Sequence, residues 1–262
     1  MKKLVTTFAM IALAFAAATP SMAASLVFDT FSYNNGDLVP NGGWANYSGA
    51  TTDIQVASGH ARIVPAAAND DHILFTPQAT TVKTYACFDV TVEPFINQPK
   101  PVYFAELKDA GAANLVSRVY VLPLAAGGWT FGLSHSSTSA TVGVVPWGTA
   151  LSSGVQYHLV INYDPNNRSS TLWVNPTNEL SPSVTDVNAS FTEVALDHFG
   201  LRESSSASTL PPAQTTAFAG SANAIISVDN LGIGTTFADA CAQYQSTPAQ
   251  RSTWGQVKQI YR

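Results

Sequence analysis

The chain has 262 residues with 12 basic and 17 acidic side chains, a formal net charge of −5, and only 11% of its residues are charged. That balance excludes a nucleic-acid binder, which needs a basic footprint. Uncharged polar residues are abundant, and surface of that kind suits neutral ligands.

Lys2 and Lys3 precede an apolar run from Leu4 to Ala18, and small residues follow through Ala24. A basic end, a short apolar stretch and small residues at a cut site define a signal peptide over 1–23, with cleavage after Ala23. The run is too short for a stable anchor, and no later run approaches membrane length. The expectation is a protein exported to the periplasm, cell surface or medium of a bacterium, with no membrane span. Loss of Lys2 and Lys3 takes the net charge from −5 to −7. The span 24–262 is long enough for one all-β domain, since sandwiches of roughly 200–250 residues fold as single units.

Alternating apolar residues bounded by Gly, Pro, Asn and Asp predict a series of short strands. Leu26 to Phe31 is the first, and Asn41-Gly42-Gly43-Trp44 is a loop with an aromatic anchor. Ile54 to Ala57 and His60 to Val64 form a hairpin over Ser58-Gly59. His72 to Phe75 is a short strand. Val82 to Val92 is longer, with Ala86, Phe88, Val90 and Val92 on its core face and Tyr85, Cys87 and Asp89 on the other. Pro101 to Lys108 and Asn114 to Leu122 pair across Asp109 to Ala112. Trp129 to His135 and Thr141 to Val145 follow.

The stretch Tyr157 to Pro176 reads as two strands about a turn at Asp164-Pro165-Asn166-Asn167. Centring the loop on Pro165-Asn166 sets Leu159 opposite Leu172, Ile161 opposite Ser170 and His158 opposite Trp173. Val194 to Arg202 and Ala224 to Ile233 complete the set, and Glu203 to Ser221 between them reads as a mobile connection. Roughly a dozen strands with no helix before the C-terminus predict an all-β fold, a jelly-roll sandwich of two antiparallel sheets. Residues 238–262 form a tail. In it Thr253 and Gln256 stand at capping-box spacing before Trp254, Val257, Ile260 and Tyr261 at helical spacing. This short helix docks either on its own domain or on a surface or secretion partner.

The segments Asp29-Thr30-Phe31, Gly42-Gly43-Trp44, Tyr157 to Asp164, Thr171 to Pro176 and Val228 to Gly234 resemble LamG-like members of the concanavalin A-like lectin and glucanase superfamily. The resemblance spans Leu26 to Phe237. It implies a concanavalin A-like jelly roll over 24–237. It leaves activity open, because the superfamily holds lectins, hydrolases, lyases and modules without a known ligand. It also implies that a calcium ion, where present, is structural. The candidate ligands are Asp29 and Asp229, if the first and last strands lie side by side. The alternative is that each Asp caps a local turn.

Hydrolysis of a glycan needs two facing carboxyl groups, and the paired-acid strand of the glucanases is missing. Glu106 is the one acid in a strongly apolar strand, and an ion pair with Lys108 is its expected role. The lyase signatures are absent too, and the five His lack metal-ligand spacing. For ligand binding, His158 shares a face with Trp173, and Arg118 shares one with Tyr120. An aromatic plane beside donors suits a sugar, although a loop could equally roof such a face. In an oxidising compartment the two cysteines, Cys87 and Cys241, are expected to form one disulfide. Three functions fit the chain: a non-catalytic module binding a neutral glycan or cell-surface polysaccharide, a structural protein of the cell surface, or a polysaccharide-active enzyme. The first is favoured, with no cofactor required.

Overall fold

The computed structural model describes residues 25–49, 54–65, 69–111, 113–136 and 143–244. The expected signal peptide and C-terminal helix lie outside the described residues. In chain order the strands are β1 (Val27–Asp29), β2 (Gly36–Asp37), β3 (Trp44–Ser48), β4 (Gln55–Ala57), β5 (His60–Ile63), β6 (Asn69–Gln78), β7 (Thr84–Val92) and β8 (Val102–Lys108). They continue with β9 (Leu115–Pro123), β10 (Trp129–Ser134), β11 (Val145–Pro146), β12 (Gln156–Asp164), β13 (Ser169–Val174), β14 (Ser183–Val187), β15 (Leu196–Glu203) and β16 (Ile226–Gly234). Two short helices, α1 (Pro212–Ala217) and α2 (Phe237–Ala240), follow β15 and β16 respectively.

The strands form two sheets. The nine-stranded sheet runs β14-β13-β12-β7-β16-β5-β4-β2, with β1 paired to β16, and the seven-stranded sheet runs β11-β10-β9-β8-β15-β6-β3. The pairings between named strands are antiparallel, which is the expected jelly-roll sandwich. Pairings between strands distant in sequence, such as β7 with β16 and β8 with β15, hold the sheets together.

Alternation puts the apolar residues of both sheets into one layer. Phe88 of β7 meets Phe199 of β15 edge to face at 5.4 Å, and Trp129, Phe131 and Tyr157 pack as mutual T-shaped pairs. Phe88, Phe104, Phe131, Leu159 and Ile161 are fully excluded from solvent. The predicted faces of β7 hold: Ala86, Phe88, Val90 and Val92 line this core, and Cys87 belongs to a separate cluster outside it. The β4–β5 hairpin closes over Ser58 and Gly59, whose φ values of 54° and 78° are both positive. That is the conformation a two-residue turn needs to match strand twist.

The central hairpin departs from the expected register. Leu159 pairs with Val174, Val160 with Trp173 and Ile161 with Leu172. The loop is Pro165 to Arg168, one position later than expected, because Asp164 binds the Asn167 backbone N–H at 3.2 Å and side-chain amide at 2.8 Å while Arg168 turns at φ 50°. The shift of two leaves the faces intact. The segment read as a mobile connection instead carries α1 and packs Leu210 and Phe218 onto Tyr103, Tyr120 and Leu122.

Candidate functional site

The sandwich has two outer faces, and each is covered. On the nine-stranded sheet, β7, β12 and β13 project Tyr85, Cys87, Val160 and Trp173 outward. Cys87 is bonded to Cys241 as expected, across a sequence separation of 154. This tether holds α2 against the face, with Phe237 edge-on to Trp173 at 5.8 Å. Trp173 is 4% exposed, and its indole N–H donates to the Glu179 carbonyl at 3.2 Å. His158 lies 3.7 Å from Tyr244 between ring centroids, and its Nδ1 meets Asp89 at 3.2 Å. Burial alone would raise Asp89, but hydrogen bonds from His158, Asn230 and Tyr244 hold it below its ordinary value. The pair expected to offer a sugar-stacking platform is therefore roofed: Trp173 is part of a closed apolar layer, and Val160 rather than His158 stands opposite it.

The outer face of the seven-stranded sheet is built differently. A bulge between Asn46 and Ser48 in β3 leaves Tyr47 without a register partner. Its ring stacks on His72 of β6 at 4.9 Å, and His72 stacks on His198 of β15 at 4.1 Å. The Tyr47 hydroxyl donates to Glu106 Oε1. Glu106 is directly opposite Gly200 in the sheet, and a Cβ on Gly200 would come within 2.5 Å of that oxygen. A glycine is thus what leaves room for the carboxyl. The Lys108 ammonium sits 4.4 Å over the Tyr47 ring and contacts His72 Nδ1 at 3.2 Å. The expected Glu106–Lys108 ion pair does not form.

Along the same face, Arg118 of β9 and Arg202 of β15 flank the Tyr103 ring of β8 at 5.0 and 4.3 Å. Arg118 also lies 5.6 Å from the Tyr120 ring, so the expected sharing of a face holds. Tyr120 itself is 1% exposed beneath Leu210 and Phe218. A cavity of about 180 Å³ opens between Tyr103, Arg118, Arg202 and the loop residues Ala207, Ser208 and Thr209. Ser208 anchors the loop by donating its N–H to the Pro101 carbonyl at 2.7 Å and accepting from the Tyr103 N–H at 3.2 Å.

The electrostatics follow from burial. Burial raises Glu106 despite Tyr47, Arg202, Arg118 and Lys108, and it lowers Lys108 despite Glu106. Asp70 is pushed up to about 7 by burial and by repulsion from Glu106, and His72 is lowered to about 4 by burial, His198 and Lys108. Several polar atoms stay unsatisfied: Glu106 Oε2, Arg118 Nε and Arg202 Nη1 have no hydrogen-bond partner among the described residues, and Asp70 Oδ1 meets Arg202 Nε only at 3.8 Å. Native interiors pair most such groups with protein or with ordered water.

The strands carrying Asp29 and Asp229 do lie side by side. Their donor set does not fit calcium, however. Asp29 already accepts from the Phe31 N–H at 2.7 Å, the Tyr33 hydroxyl at 3.0 Å and the Trp44 indole at 2.7 Å, while Asp229 accepts from Asn230 and faces His60 at 3.7 Å. Among the described residues, the group of three or more metal-binding atoms within reach of one another is Cys87, His158 and Cys241, whose sulfurs form the disulfide. A wider groove of about 490 Å³ lies beside Phe28 and Leu74, but the polar groups in its wall, Asp29 and Tyr33, satisfy each other.

Tyr47, Asp70, His72, Tyr103, His198 and Arg202 were not singled out from the sequence. Polar residues at alternate positions of β6 (Asp70, His72) and β15 (His198, Arg202) are a visible signal of an outer polar face. Tyr47 gives none, because the bulge that aims it is unreadable in sequence.

No family model and no curated protein matches the sequence. The fold does match solved structures. A sialidase aligns at TM-score 0.53 and 13% identity over 83% of this chain and 19% of its own, so the chain spans about a fifth of that protein. The CBM2 module of the Lactobacillus casei BL23 phage J-1 evolved Dit aligns at 0.51 and 12% identity over 80% of this chain and 95% of the module. The alginate lyase Aly36B, in complex with an alginate tetrasaccharide, aligns at 0.51 and 13% over 80% and 96%. At these identities the likeness is one of fold: a β-sandwich shared with proteins of several activities.

Proposed function

We propose that this protein is an exported, LamG-like glycan-recognition domain that binds a polysaccharide on the outer face of the seven-stranded sheet without cleaving it. One observation carries the reading. Three tyrosines, two arginines and a lysine converge on one face, and a nitrogen of each arginine has no hydrogen-bond partner among the described residues. Sugar rings present C–H faces for aromatic stacking and hydroxyls for exactly such unpaired polar atoms. The export signal read over 1–23 and the disulfide agree with an extracellular setting.

The absence of cleavage rests on Glu106. Its carboxyl is completely buried and engaged by Tyr47, and its neighbour Asp70 is drawn to Arg202. Neither is presented as a free acid opposite a free base across an open cleft, the arrangement hydrolysis requires. A single face of this kind should bind with about micromolar to millimolar affinity, since the ligand's hydroxyls must first give up water.

Affinity electrophoresis through gels containing a panel of polysaccharides tests this, with the same mixtures assayed for reducing ends and for unsaturated products. Retardation in at least one gel without new products is the expected result. Absence of retardation throughout would remove the glycan reading, and accumulating products would make the protein an enzyme with Glu106 as the first residue to substitute.

A further inference from the structure

The unusual residue on the outer face of the seven-stranded sheet is Arg118. It is 5% exposed, and no carboxylate among the described residues comes within salt-bridge distance of its guanidinium. One nitrogen, Nη2, donates to the Ser136 carbonyl at 2.9 Å, and Nε donates to nothing. Its guanidinium also lies against the rings of Tyr103 and Tyr120. A guanidinium stays charged at any physiological pH, and the Glu106 carboxyl that attracts it is itself buried and pushed up from its ordinary value, so an anion entering beside Arg118 would complete the site.

The second arginine has the same character. Arg202 lies on the far side of Tyr103, also leaves a nitrogen, Nη1, without a hydrogen-bond partner among the described residues, and reaches Asp70 only at 3.8 Å. Between the two arginines is the cavity of about 180 Å³, whose other wall is the loop of Ala207, Ser208 and Thr209. The space is too small for an oligosaccharide chain and is matched to one substituted sugar unit or its charged group. Both arginines line it, and a guanidinium can bind a planar or tetrahedral oxyanion through paired N–H groups.

We propose that this cavity is an anion subsite that receives the carboxylate or sulfate group of an acidic sugar, with Arg118 and Arg202 as its ligands. The proposal rests on the glycan reading above and replaces the expected neutral glycan with an acidic one. The carboxyls nearby do not cancel the attraction. Glu106 Oε1 accepts from the Tyr47 hydroxyl, and Asp70 meets Arg202 only at 3.8 Å, so neither carboxyl pairs closely with a guanidinium. The loop supplies the closing wall and the Ser208 hydroxyl supplies a further donor.

The test uses the full exported protein and three polymers: polygalacturonate, the same polymer fully methyl-esterified, and dextran sulfate. Esterification removes the charge while keeping the sugar. The expected outcome is binding to polygalacturonate that weakens at least tenfold on esterification and falls steeply between 50 mM and 500 mM salt. Binding of dextran sulfate as well would assign the site to oxyanions in general, and its absence would assign it to uronates. Arg118→Gln should weaken binding at least tenfold, with Arg118→Lys losing less.

Because Arg118 is buried, its variants could fail to fold. Ala207→Trp is therefore the companion: residue 207 is exposed on the loop, and an indole there would occupy the cavity while leaving every sheet residue unsubstituted. Loss of polygalacturonate binding in folded Ala207→Trp supports the subsite. Undiminished binding in that variant overturns it. Equal, salt-insensitive binding of the esterified polymer also overturns it while leaving the glycan reading standing, whereas failure of every polysaccharide to bind removes both.

Discussion

On the nine-stranded sheet the outer aromatic residues lie under a segment fastened by the Cys87–Cys241 bond, while on the seven-stranded sheet the outer residues lie under a loop held by Ser208, Leu210 and Phe218. Beneath the first cover the polar groups find partners: Trp173 donates to Glu179, the Tyr85 hydroxyl donates to the Glu179 carboxylate at 2.5 Å, and His158 is held by Asp89. On the second face, atoms of Glu106, Arg118 and Arg202 have no partner among the described residues. Both faces hold aromatic rings beside donors, so composition cannot tell them apart. The state of the hydrogen bonds can. The first layer is satisfied and covalently closed, whereas the second keeps unpaired atoms among the described residues under a non-covalent cover, which is what favours it in the proposed reading.

Breaking the covalent cover should have the largest effect. Closing a loop with the 154-residue separation of the two cysteines is worth about 5 kcal/mol in the chain-entropy model. Cys87→Ala with Cys241→Ala should therefore lower the melting temperature substantially and shift tryptophan emission to the red as Trp173 becomes hydrated. Equal melting of the oxidised and reduced proteins would show that the tether contributes nothing. Trp173→Ala comes next, with a loss of about 3–5 kcal/mol for emptying a buried indole site, measurable by urea denaturation. In the fraction that remains folded, glycan affinity should equal that of the parent. Phe218→Ala, which removes an anchor of the other cover, should cost about 2 kcal/mol and should change glycan affinity as well. A Trp173 variant that folds but no longer binds glycan would reverse the assignment of the two faces.

Why the sequence offered His158 and Trp173 beside Arg118 and Tyr120 is instructive. The alternation of β7 and β12 shows correctly that Cys87, His158 and Trp173 share one side, because period-two patterning survives a register shift of two. What covers that side comes from α2, held there by a bond 154 residues long in sequence, and no local pattern reports a contact at that separation. The disulfide itself was legible from the cysteine count, but its consequence for Trp173 was not. Arg118 and Tyr120 were readable as neighbours on one strand. Arg202, Asp70 and Tyr47 join them only through the β8–β15–β6–β3 order of the sheet, and strand order is set by the whole core. Glu203 to Ser221 lacked strong periodicity and so read as a connection, yet Leu210 and Phe218 suffice to dock it.

The smallest effect expected is a difference in pH response located on the seven-stranded face. Burial, with repulsion from Glu106, raises the Asp70 carboxyl from its usual 3.8 to about 7, against the pull of Arg202 and Ser48. A carboxyl with a folded pKa above its unfolded one binds its proton more tightly when folded. Its contribution is therefore fully present below about pH 4 and is lost as pH rises through about 7. His72 acts in the opposite sense: lowered from 6.5 to about 4, it favours the folded protein above about pH 6.5 and loses that contribution as pH falls through about 4. Total stability thus mixes two opposed slopes, and only a variant separates them. Asp70→Asn should gain on the parent protein as pH rises from 4 to 7, by on the order of 1–2 kcal/mol once partial solvent access is allowed for, while His72→Asn should gain on the parent as pH falls over the same range. Urea denaturation at pH 4.5, 6 and 7.5 measures both differences. A constant offset for Asp70→Asn across those three values would mean that its carboxyl has ordinary acidity, and the contrast between a solvated acid and the orphaned groups beside it would have to be redrawn around Arg118 alone.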